Sequence, residues 1–366
     1  MAVKVKSKTN ETAEQVLARY KKNMGESVGD FGGLPVSSDR IPTGLFELDL
    51  SLGGGIPRGR VTTLFGPEDS AKTSIAFLLI ANHQRMWPDQ VCVYVAIEPF
   101  DGTWAKQCGV DVARLAVLYP AYAEEAVDMI ADMLEAEDCG LVVLDSIAAM
   151  ITTQEADKSA EGDNPGKTAL AVGKLCRKTA LALREAEKLG RFPTLVYINQ
   201  IRSKIGMMYG NPETTPGGNG PLFQSQVRLR MQSKAVMDSK ISDTLPVRRE
   251  ITFNLKKSKM PIVSATGKTE MAVFPHDNLR IGDSNDVNTV LQYLKDYGAV
   301  EQLKKGWEIL GEQYPTQEAF KSRFTSDRKF SAEVKQAIIT RVLNDLGYDK
   351  QMAEFNVDAD GVVTET

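Results

Sequence analysis

The residues best suited to chemistry lie in one short stretch, residues 64–73, which reads LFGPEDSAKT. An apolar strand there gives way to a loop and then to a helix, so consecutive backbone N–H groups and the helix N-terminus can face anionic oxygens. Lys72 is placed to reach the β and γ phosphates of a nucleoside triphosphate, and the Thr73 hydroxyl to ligate Mg²⁺. The predicted nucleotide-binding residues of this stretch are Gly66, Pro67, Glu68, Asp69, Ser70, Ala71, Lys72, Thr73 and Ser74.

The stretch departs from the pattern G-x-x-x-x-G-K-[ST] at Ala71, which takes the position of the second glycine. A methyl group there occupies space, and glycine's ready access to positive φ is lost. Some phosphate-loop families carry alanine at this position, so we interpret it as a tolerated variant. The alternative is a chance turn before an amphipathic helix, which is disfavoured because an apolar strand precedes the loop and helix-forming residues follow it.

Two carboxylates follow apolar runs that are typical of buried strands. Asp145 closes the run at 141–144, and we expect it to hold Mg²⁺ indirectly, beside Thr73 as the direct ligand. Glu98 follows the run at 91–97, and in a parallel sheet it would share an edge with Lys72 and Asp145. A carboxylate at that edge can orient and deprotonate an attacking water. The alternative for Glu98 is a solvent-facing turn residue, and spacing alone does not separate the two.

Gln200 follows a third such run, at 194–198, and its uncharged amide would lie near the terminal phosphate. An amide can exchange hydrogen-bond partners without changing charge, so we predict that Gln200 senses the γ-phosphate. Because a long loop starts immediately after it, the state of the phosphate could order or release residues 201–221.

The elements that must position these residues are near-continuous β-formers at 61–65, 91–97, 141–144 and 194–198, alternating with helical stretches such as 124–137 and 168–189. Such near-continuous runs are typical of strands that are buried on both faces of a sheet. The pattern predicts an α/β fold with a largely parallel sheet covered on both faces. Two polar loops, at about 150–167 and 201–221, leave the carboxyl ends of strands, where such sheets bind ligands, and they indicate a shared second ligand.

The chain divides by composition into four predicted parts. Residues 1–40 read as a helix at 11–24 followed by a Gly/Ser linker, which we interpret as an oligomerisation arm, with a frayed terminus as the alternative. Residues 41–283 form the α/β core. Residues 284–352 read as a small α-rich C-terminal domain, with helices at 287–297 and 331–346. Residues 353–366 form an acidic tail, and we expect the last dozen or so residues to be disordered.

Composition excludes several classes of protein. The 366 residues are 42% hydrophobic, enough for a sizeable core, and no apolar run approaches the roughly 20 residues of a membrane span. We therefore expect a cytoplasmic protein with no membrane partner. Four scattered cysteines and two histidines disfavour a disulfide framework or a structural zinc site. The net charge is −4, so any affinity for nucleic acid must come from local basic loops.

Together these features resemble the RecA recombinases over roughly residues 41–275. The segments that carry the resemblance are IPTG at 41–44, LD at 48–49, GPEDSAKT at 66–73, DSIAA at 145–149, INQIRSKIG at 198–206 and GNPETTPGGN at 210–219. The last two are the most specific. The resemblance implies a RecA-like P-loop ATPase core that uses ATP and Mg²⁺ and binds DNA through the two loops.

The resemblance also implies roles for individual residues. The catalytic residues would be Glu98, Lys72 and Gln200, and the nucleotide's base would lie beside Asp101 and Trp104. The residues implied in DNA binding are Arg177, Arg202, Lys204, Ile205, Gly217, Gly218 and Asn219. Phe223 and Arg228 would relay nucleotide state across the subunit interface, and Lys257 and Lys259 would meet the nucleotide of the neighbouring subunit. The alternative for the lysines is a solvated basic hairpin.

Several departures from the family pattern indicate a divergent member. The first loop carries Glu155, Asp157, Glu161 and Asp163 against Lys158 and Lys167, so on balance it repels phosphate. Pro165 stands where the family has methionine, and Leu170 stands at an arginine position. The phage UvsX recombinases also lack the second glycine of the phosphate loop, which favours a phage-encoded, UvsX-like member.

The sequence thus predicts a DNA-dependent ATPase that forms helical filaments on single-stranded DNA and catalyses homologous pairing and strand exchange with double-stranded DNA, in recombination and repair. Two alternatives stay open. One is a hexameric helicase-type motor, which shares this core. The other is a non-hydrolysing filament protein that binds single-stranded DNA, which Ala71 and the acidic first loop make conceivable.

Overall fold

The structure is a computed structural model of the chain, and it describes residues 12–24, 37, 39–157, 166–203, 213–260, 262–276, 278–347, 355–357 and 363–365. The strands of these residues are, in chain order, β1 (Arg40–Ile41), β2 (Ile56–Pro57), β3 (Val61–Gly66), β4 (Val91–Ala96), β5 (Leu115–Leu118), β6 (Cys139–Asp145), β7 (Thr194–Gln200), β8 (Arg202–Ser203), β9 (Glu213–Thr214), β10 (Val227–Val236), β11 (Arg248–Ser258), β12 (Thr266–Ala272), β13 (Val300–Gln302), β14 (Trp307–Ile309), β15 (Glu312–Tyr314), β16 (Phe355–Val357) and β17 (Val363–Glu365).

The helices of the same residues are α1 (Ala13–Met24), α2 (Phe46–Ser51), α3 (Lys72–Met86), α4 (Gly102–Gln107), α5 (Ala123–Glu135), α6 (Thr153–Ala156), α7 (Gly166–Lys188), α8 (Gly220–Gln224), α9 (Val287–Asp296), α10 (Gln317–Ser326) and α11 (Arg328–Asp345), with 3-10 turns at Val112–Arg114 and Ile147–Ala149. The predicted helices at 11–24, 124–137, 168–189, 287–297 and 331–346 are confirmed within a few residues at each end.

The main sheet has eight strands in the order β12-β11-β10-β3-β7-β6-β4-β5. The neighbours from β10 to β5 all pair in parallel, whereas β11 pairs antiparallel with both β10 and β12. The prediction of a largely parallel sheet is therefore confirmed. The antiparallel pair at one edge was not predicted, because its alternating polar residues lack the continuous apolar pattern of the central strands.

Both faces of the sheet are covered, and side chains along each central strand alternate between two hydrophobic cores. Along β7, Val196 and Ile198 enter the core that contains α3, while Leu195 and Tyr197 enter the core built with α5 and α7. Because a strand's side chains point alternately to opposite faces, burial on both sides requires an uninterrupted apolar run. The carboxyl ends of these strands are thereby held side by side along one edge.

The C-terminal residues form a third core, in which α9, α10 and α11 pack together with Phe46 and Leu50 of α2. A three-stranded antiparallel sheet, β13-β14-β15, accompanies these helices and was missed in the prediction of an α-rich domain, since each strand is only three residues long. The expectation that the end of the chain is disordered is wrong for the described part of the tail. There β16 and β17 pair as an antiparallel hairpin.

Two glycines in the covered layers give opposite expected results when replaced by alanine. At Gly140 in β6 an added Cβ would lie 2.3 Å from Cε1 of the buried His83 ring, so Gly140→Ala should lower the free energy of unfolding by about 1–3 kcal/mol. At Gly173 in α7 the nearest atom would be Arg177 Nη1 at 3.5 Å, so Gly173→Ala should raise that free energy by up to about 1 kcal/mol. Urea unfolding of both variants measures this, and equal stabilities would contradict the packing described.

Candidate functional site

The predicted phosphate loop joins β3 to α3, and its backbone explains the residues found in it. An added Cβ on Gly66 would lie 2.2 Å from the carbonyl oxygen of Met231 on β10, so only glycine fits there. Asp69 and Ala71 both have left-handed backbone, with φ of 60° and 65°. Ala71 thus adopts the conformation that a second glycine would have, at a cost of about 1–2 kcal/mol. Alanine is therefore held here in left-handed backbone.

Lys72 is buried, and its ammonium is held inside the loop. Nζ donates to the carbonyl oxygen of Pro67 at 2.6 Å, to that of Gly66 at 3.4 Å, and to Ser70 Oγ at 3.0 Å. Burial lowers the pKa of Lys72, while the charges of Asp145 and Glu98 oppose that shift. The side chain is therefore a desolvated cation located where the loop's backbone curls around it.

Asp145 ends β6 beside the first turn of α3. Thr73 Oγ1 donates to Asp145 Oδ2 at 2.8 Å, and the Tyr94 hydroxyl donates to the same oxygen at 2.5 Å. Burial raises the pKa of Asp145, and the hydrogen bonds from Tyr94 and Thr73 lower it. A hydroxyl and a carboxylate in contact are the hard oxygen ligands that Mg²⁺ takes. Tyr94 was missed, because a tyrosine within a run of β-formers reads as a core residue.

Glu98 and Gln200 lie together, one beyond the end of β4 and the other at the end of β7. Gln200 Nε2 donates to Glu98 Oε1 at 3.3 Å, and Ser146 Oγ donates to the same carboxylate oxygen. The Asp145–Ser146 peptide bond, which leads into this contact, is cis. Glu98 is half-buried and hydrogen-bonded, which does not fit the alternative of a solvent-facing turn residue.

A cavity of 490 Å³ opens beside the loop. Residues 69–74 line one side, and Trp104, Leu245, Pro246, Val273 and Phe274 contribute to the rest. The Trp104 indole donates to Ser74 Oγ at 3.0 Å, which fixes the ring at the cavity wall. Asp101, predicted beside the base, instead caps α4 by accepting from the backbone N–H groups of residues 103 and 104, and it does not line the cavity.

Arg249 of β11 also lines the cavity and was missed entirely. Its Nη1 donates to the carbonyl oxygen of Asp69 at 2.7 Å and to Ser233 Oγ at 2.8 Å, and its Nη2 pairs with Asp69 Oδ1 at 2.7 Å. Ser233 Oγ itself donates to the Asp69 carbonyl at 2.5 Å. Arg249 and Asp69 are 180 positions apart in the chain, so no local sequence pattern predicts their contact.

The second loop is attached at both ends to the strand that carries Gln200. Asn199 Nδ2 donates to the carbonyl oxygen of Pro216 at 3.0 Å, and β8 pairs with β9. Glu213 of β9 makes a bidentate ion pair with Arg230 of β10, and Arg230 holds the pKa of that carboxyl below its ordinary value. Residues 204–212 between these ends include the predicted Lys204 and Ile205, which lie outside the described residues.

The other residues implied in DNA binding are spread along the same region. Arg202 lies exposed in β8, and Arg177 is exposed on α7. Gly217 and Gly218 have φ of 90° and 71°, and Asn219 immediately precedes α8. An added Cβ on Gly217 would lie 2.8 Å from Ile147 Cγ2, so the loop's return passes directly over the residues that follow Asp145.

The first loop is more ordered at its start than the sequence predicts. Its residues 153–156 form α6, with a capping box between Thr152 and Glu155 that the T-x-x-E spacing could have revealed. Thr168 of α7 donates to Glu155 at 2.9 Å, which closes the loop's base. Residues 158–165 lie outside the described part.

Four residues implied at a subunit interface lie close together, where β10 begins and β11 ends. Phe223 is 69% exposed, and Lys257 Nζ donates to the carbonyl oxygens of Leu222 and Phe223, at 2.7 and 3.0 Å. The Arg228 guanidinium lies 4.5 Å from the centre of the Phe65 ring. Burial lowers the pKa of Lys257, and the neighbouring charges of Lys259 and Arg228 lower it further. Neither lysine lines the cavity beside this chain's own phosphate loop.

Among the described residues, no helix is long and apolar enough to cross a membrane.

Comparison with known proteins finds similar sequences over most of the chain. The model of the RecA N-terminal domain family matches residues 11–271. Protein RecA of Roseiflexus castenholzii is 33% identical over 275 residues, which are 74% of this chain and 72% of the relative. Protein RecA of Thermus aquaticus is 38% identical over 220 residues, 59% of this chain and 63% of the relative. A crystal structure of the RadB recombinase covers 63% of this chain and 96% of its own, with 18% identity and a TM-score of 0.46.

Proposed function

The chain belongs to the RecA family, and from that membership we propose that it is a DNA-dependent ATPase acting in recombination and repair. It forms helical filaments on single-stranded DNA and catalyses homologous pairing and strand exchange with double-stranded DNA. The observation that carries this proposal is the hydrogen bond between Gln200 and Glu98, since it joins the phosphate end of the site to the first residues of the second loop.

The residues present fit ATP and Mg²⁺. Lys72 supplies a desolvated cation, and the 490 Å³ cavity, which residues 69–74 line on one side, ends on the Trp104 ring, a surface on which a base can stack. Thr73 and Asp145 are the oxygen donors that would hold Mg²⁺, which when bound supplies charge neutralisation at the phosphates. The whole set lies at the carboxyl edge of the parallel strands, where α/β sheets bind ligands.

Each catalytic step assigned to this chain uses a group already in position. Lys72 stabilises charge that develops on the terminal phosphate, because a cation in a desolvated site acts more strongly than one in water. Glu98 orients the attacking water and accepts its proton. Ser146 and Gln200 fix the Glu98 carboxylate by donating to it. Tyr94 and Thr73 do the same for Asp145.

Coupling to DNA follows from the way the second loop is attached. Gln200 can donate either to Glu98 or to a phosphate oxygen, and its backbone continues directly into residues 201–203. A change of partner at Gln200 therefore alters the start of the loop, while Asn199 and the Glu213–Arg230 pair hold the loop's return. The state of the nucleotide and the affinity for DNA are therefore linked through the carboxyl end of β7.

Replacing Arg202 and Lys204 together by alanine should weaken binding to single-stranded DNA without changing nucleotide affinity. Both are cations of the second loop, and Arg202 does not line the cavity beside the phosphate loop. Losing two phosphate contacts lowers the slope of log affinity against log salt by about 1.4. Fluorescence anisotropy with a labelled oligonucleotide at several salt concentrations measures the slope. The matched control is Lys178→Ala with Arg184→Ala, which removes the same charge from surface ion pairs on α7. An equal loss in the control, or a parallel loss of nucleotide binding, would contradict this division of roles.

Electron microscopy with single-stranded DNA and a slowly hydrolysed ATP analogue tests the assembly directly. We expect open helical filaments, together with phosphate release that single-stranded DNA stimulates. Closed rings that unwind duplexes would favour a hexameric helicase-type motor. Filaments without DNA-stimulated phosphate release would favour a non-hydrolysing protein that binds single-stranded DNA.

A further inference from the structure

The carbonyl group of Asp69 in the phosphate loop accepts two hydrogen bonds from side chains of the neighbouring strands β10 and β11. It accepts from Arg249 Nη1 at 2.7 Å and from Ser233 Oγ at 2.5 Å, so two neighbouring strands of the antiparallel edge hold one loop oxygen. Arg249 Nη1 also donates to Ser233 Oγ, which makes the two donors one unit. Asp69 has left-handed backbone, a conformation that needs such support in a residue other than glycine.

Holding that carbonyl also orients the next N–H group. The carbonyl of Asp69 and the N–H of Ser70 belong to one planar peptide unit and point in opposite directions. A carbonyl held outward toward β10 and β11 therefore turns the Ser70 N–H away from those strands, to the side where the loop curls around Lys72. Phosphate loops bind anions through N–H groups turned inward in this way.

We propose that Arg249 is a positioning residue of the nucleotide site, which keeps the phosphate loop in its anion-binding shape by holding the Asp69 carbonyl. The Asp69 carboxylate has the lesser role of orienting the guanidinium, since it is 78% exposed and its partner 22%. The left-handed Ala71 follows two residues later, so this contact supports the loop beside the position where glycine's freedom is missing. This inference deepens the proposed ATPase function and depends on it.

The test uses the full-length chain and measures Mg-ADP affinity by calorimetry, with ATP hydrolysis on single-stranded DNA as the second readout. Arg249→Ala should weaken Mg-ADP binding about tenfold and raise KM for ATP by a similar factor. The kcat at saturating ATP should stay within about threefold, because bound nucleotide restores the loop's shape. A merely structural role would lower the active fraction and hence kcat, with KM unchanged. Arg249→Lys, which keeps the charge but cannot make all three contacts, should be intermediate.

Two matched variants separate this proposal from general effects of charge. Arg248→Ala changes the preceding residue of β11, which is 24% exposed and pairs with Glu270, and it should leave affinity unchanged. Asp69→Asn keeps the backbone carbonyl, and asparagine tolerates left-handed backbone. This variant should therefore weaken Mg-ADP binding by less than threefold. A loss in Asp69→Asn as large as in Arg249→Ala would overturn the proposal, as would unchanged KM and affinity in Arg249→Ala. Wild-type protein that fails to bind Mg-ADP would overturn the proposed function and this inference together.

Discussion

ATP hydrolysis is expected to fall by at least about 1,000-fold when Lys72 is replaced by alanine. The reason is the position of its ammonium, which is buried and lies within 3.4 Å of the Gly66 and Pro67 carbonyl oxygens and of Ser70 Oγ. Charge that develops on a transferred phosphate in such a desolvated place depends strongly on a fixed cation. Phosphate release with saturating single-stranded DNA measures the effect.

Because Lys72→Ala also removes three donors from the loop, a volume-matched variant separates charge from packing. Lys72→Met keeps most of the side chain's bulk and removes only the ammonium, so it should lose as much activity while keeping a melting temperature close to that of the wild type. Lys178→Ala, at an exposed ion pair on α7, is the control for removal of a lysine. Hydrolysis within tenfold of the wild type in Lys72→Met would show that this lysine does not stabilise the reacting phosphate.

The sheet could be predicted because its central strands are buried on both faces. Residues 61–65, 91–97, 141–144 and 194–198 are near-continuous runs of β-forming residues, and each corresponds to a parallel strand. Parallel strands end at a common edge, so the sequence alone predicts that Glu98, Asp145 and Gln200 lie together. The antiparallel strands β11 and β12 were not visible in this way, because their exposed positions interrupt the pattern.

The contacts that the sequence does not reveal are those made across many residues by ordinary surface side chains. Arg249 reaches Asp69 only because β11 lies two strands away from the phosphate loop in the sheet, an order that local patterns do not encode. Arg230 of β10 meets Glu213 of β9, a strand of a separate two-stranded sheet, and local patterns do not encode that contact either. Tyr94 could not be distinguished from a core tyrosine until β4 and β6 were paired, which places its hydroxyl on Asp145. Residues within one local motif could be predicted from the sequence, whereas contacts that depend on the order of the strands could not.

The roles of the residues around the edge of the site were predicted from the family resemblance alone. Phe223, Arg228, Lys257 and Lys259 lie close together but away from the cavity, as residues that complete a neighbouring subunit's site would. Their role stays a prediction, since one chain contains no such neighbour. Asp101 caps α4 in this structure, and its predicted place beside the nucleotide's base stays a prediction.

Glu98→Gln should separate nucleotide binding from hydrolysis. A glutamine can still accept from Ser146 through its carbonyl oxygen but cannot take a proton from water, so kcat should fall by about 100-fold to 10,000-fold. Affinity for Mg-ATP should change less than about threefold, since Lys72, Thr73 and the loop are untouched. Stopped-flow binding and phosphate release measure the two quantities on the same preparation.

The same variant tests the link to DNA, because Gln200 now faces an amide in place of a carboxylate. If the Gln200–Glu98 contact couples the site to the second loop, Glu98→Gln should bind single-stranded DNA more persistently in the presence of ATP, since nucleotide remains bound and unhydrolysed. Gln200→Ala is the informative partner variant: it keeps the Glu98 base but loses the connection, so DNA should no longer stimulate whatever hydrolysis remains. Normal hydrolysis in Glu98→Gln would exclude this glutamate as the base, and full DNA stimulation in Gln200→Ala would exclude the strand end at residue 200 as the route of coupling.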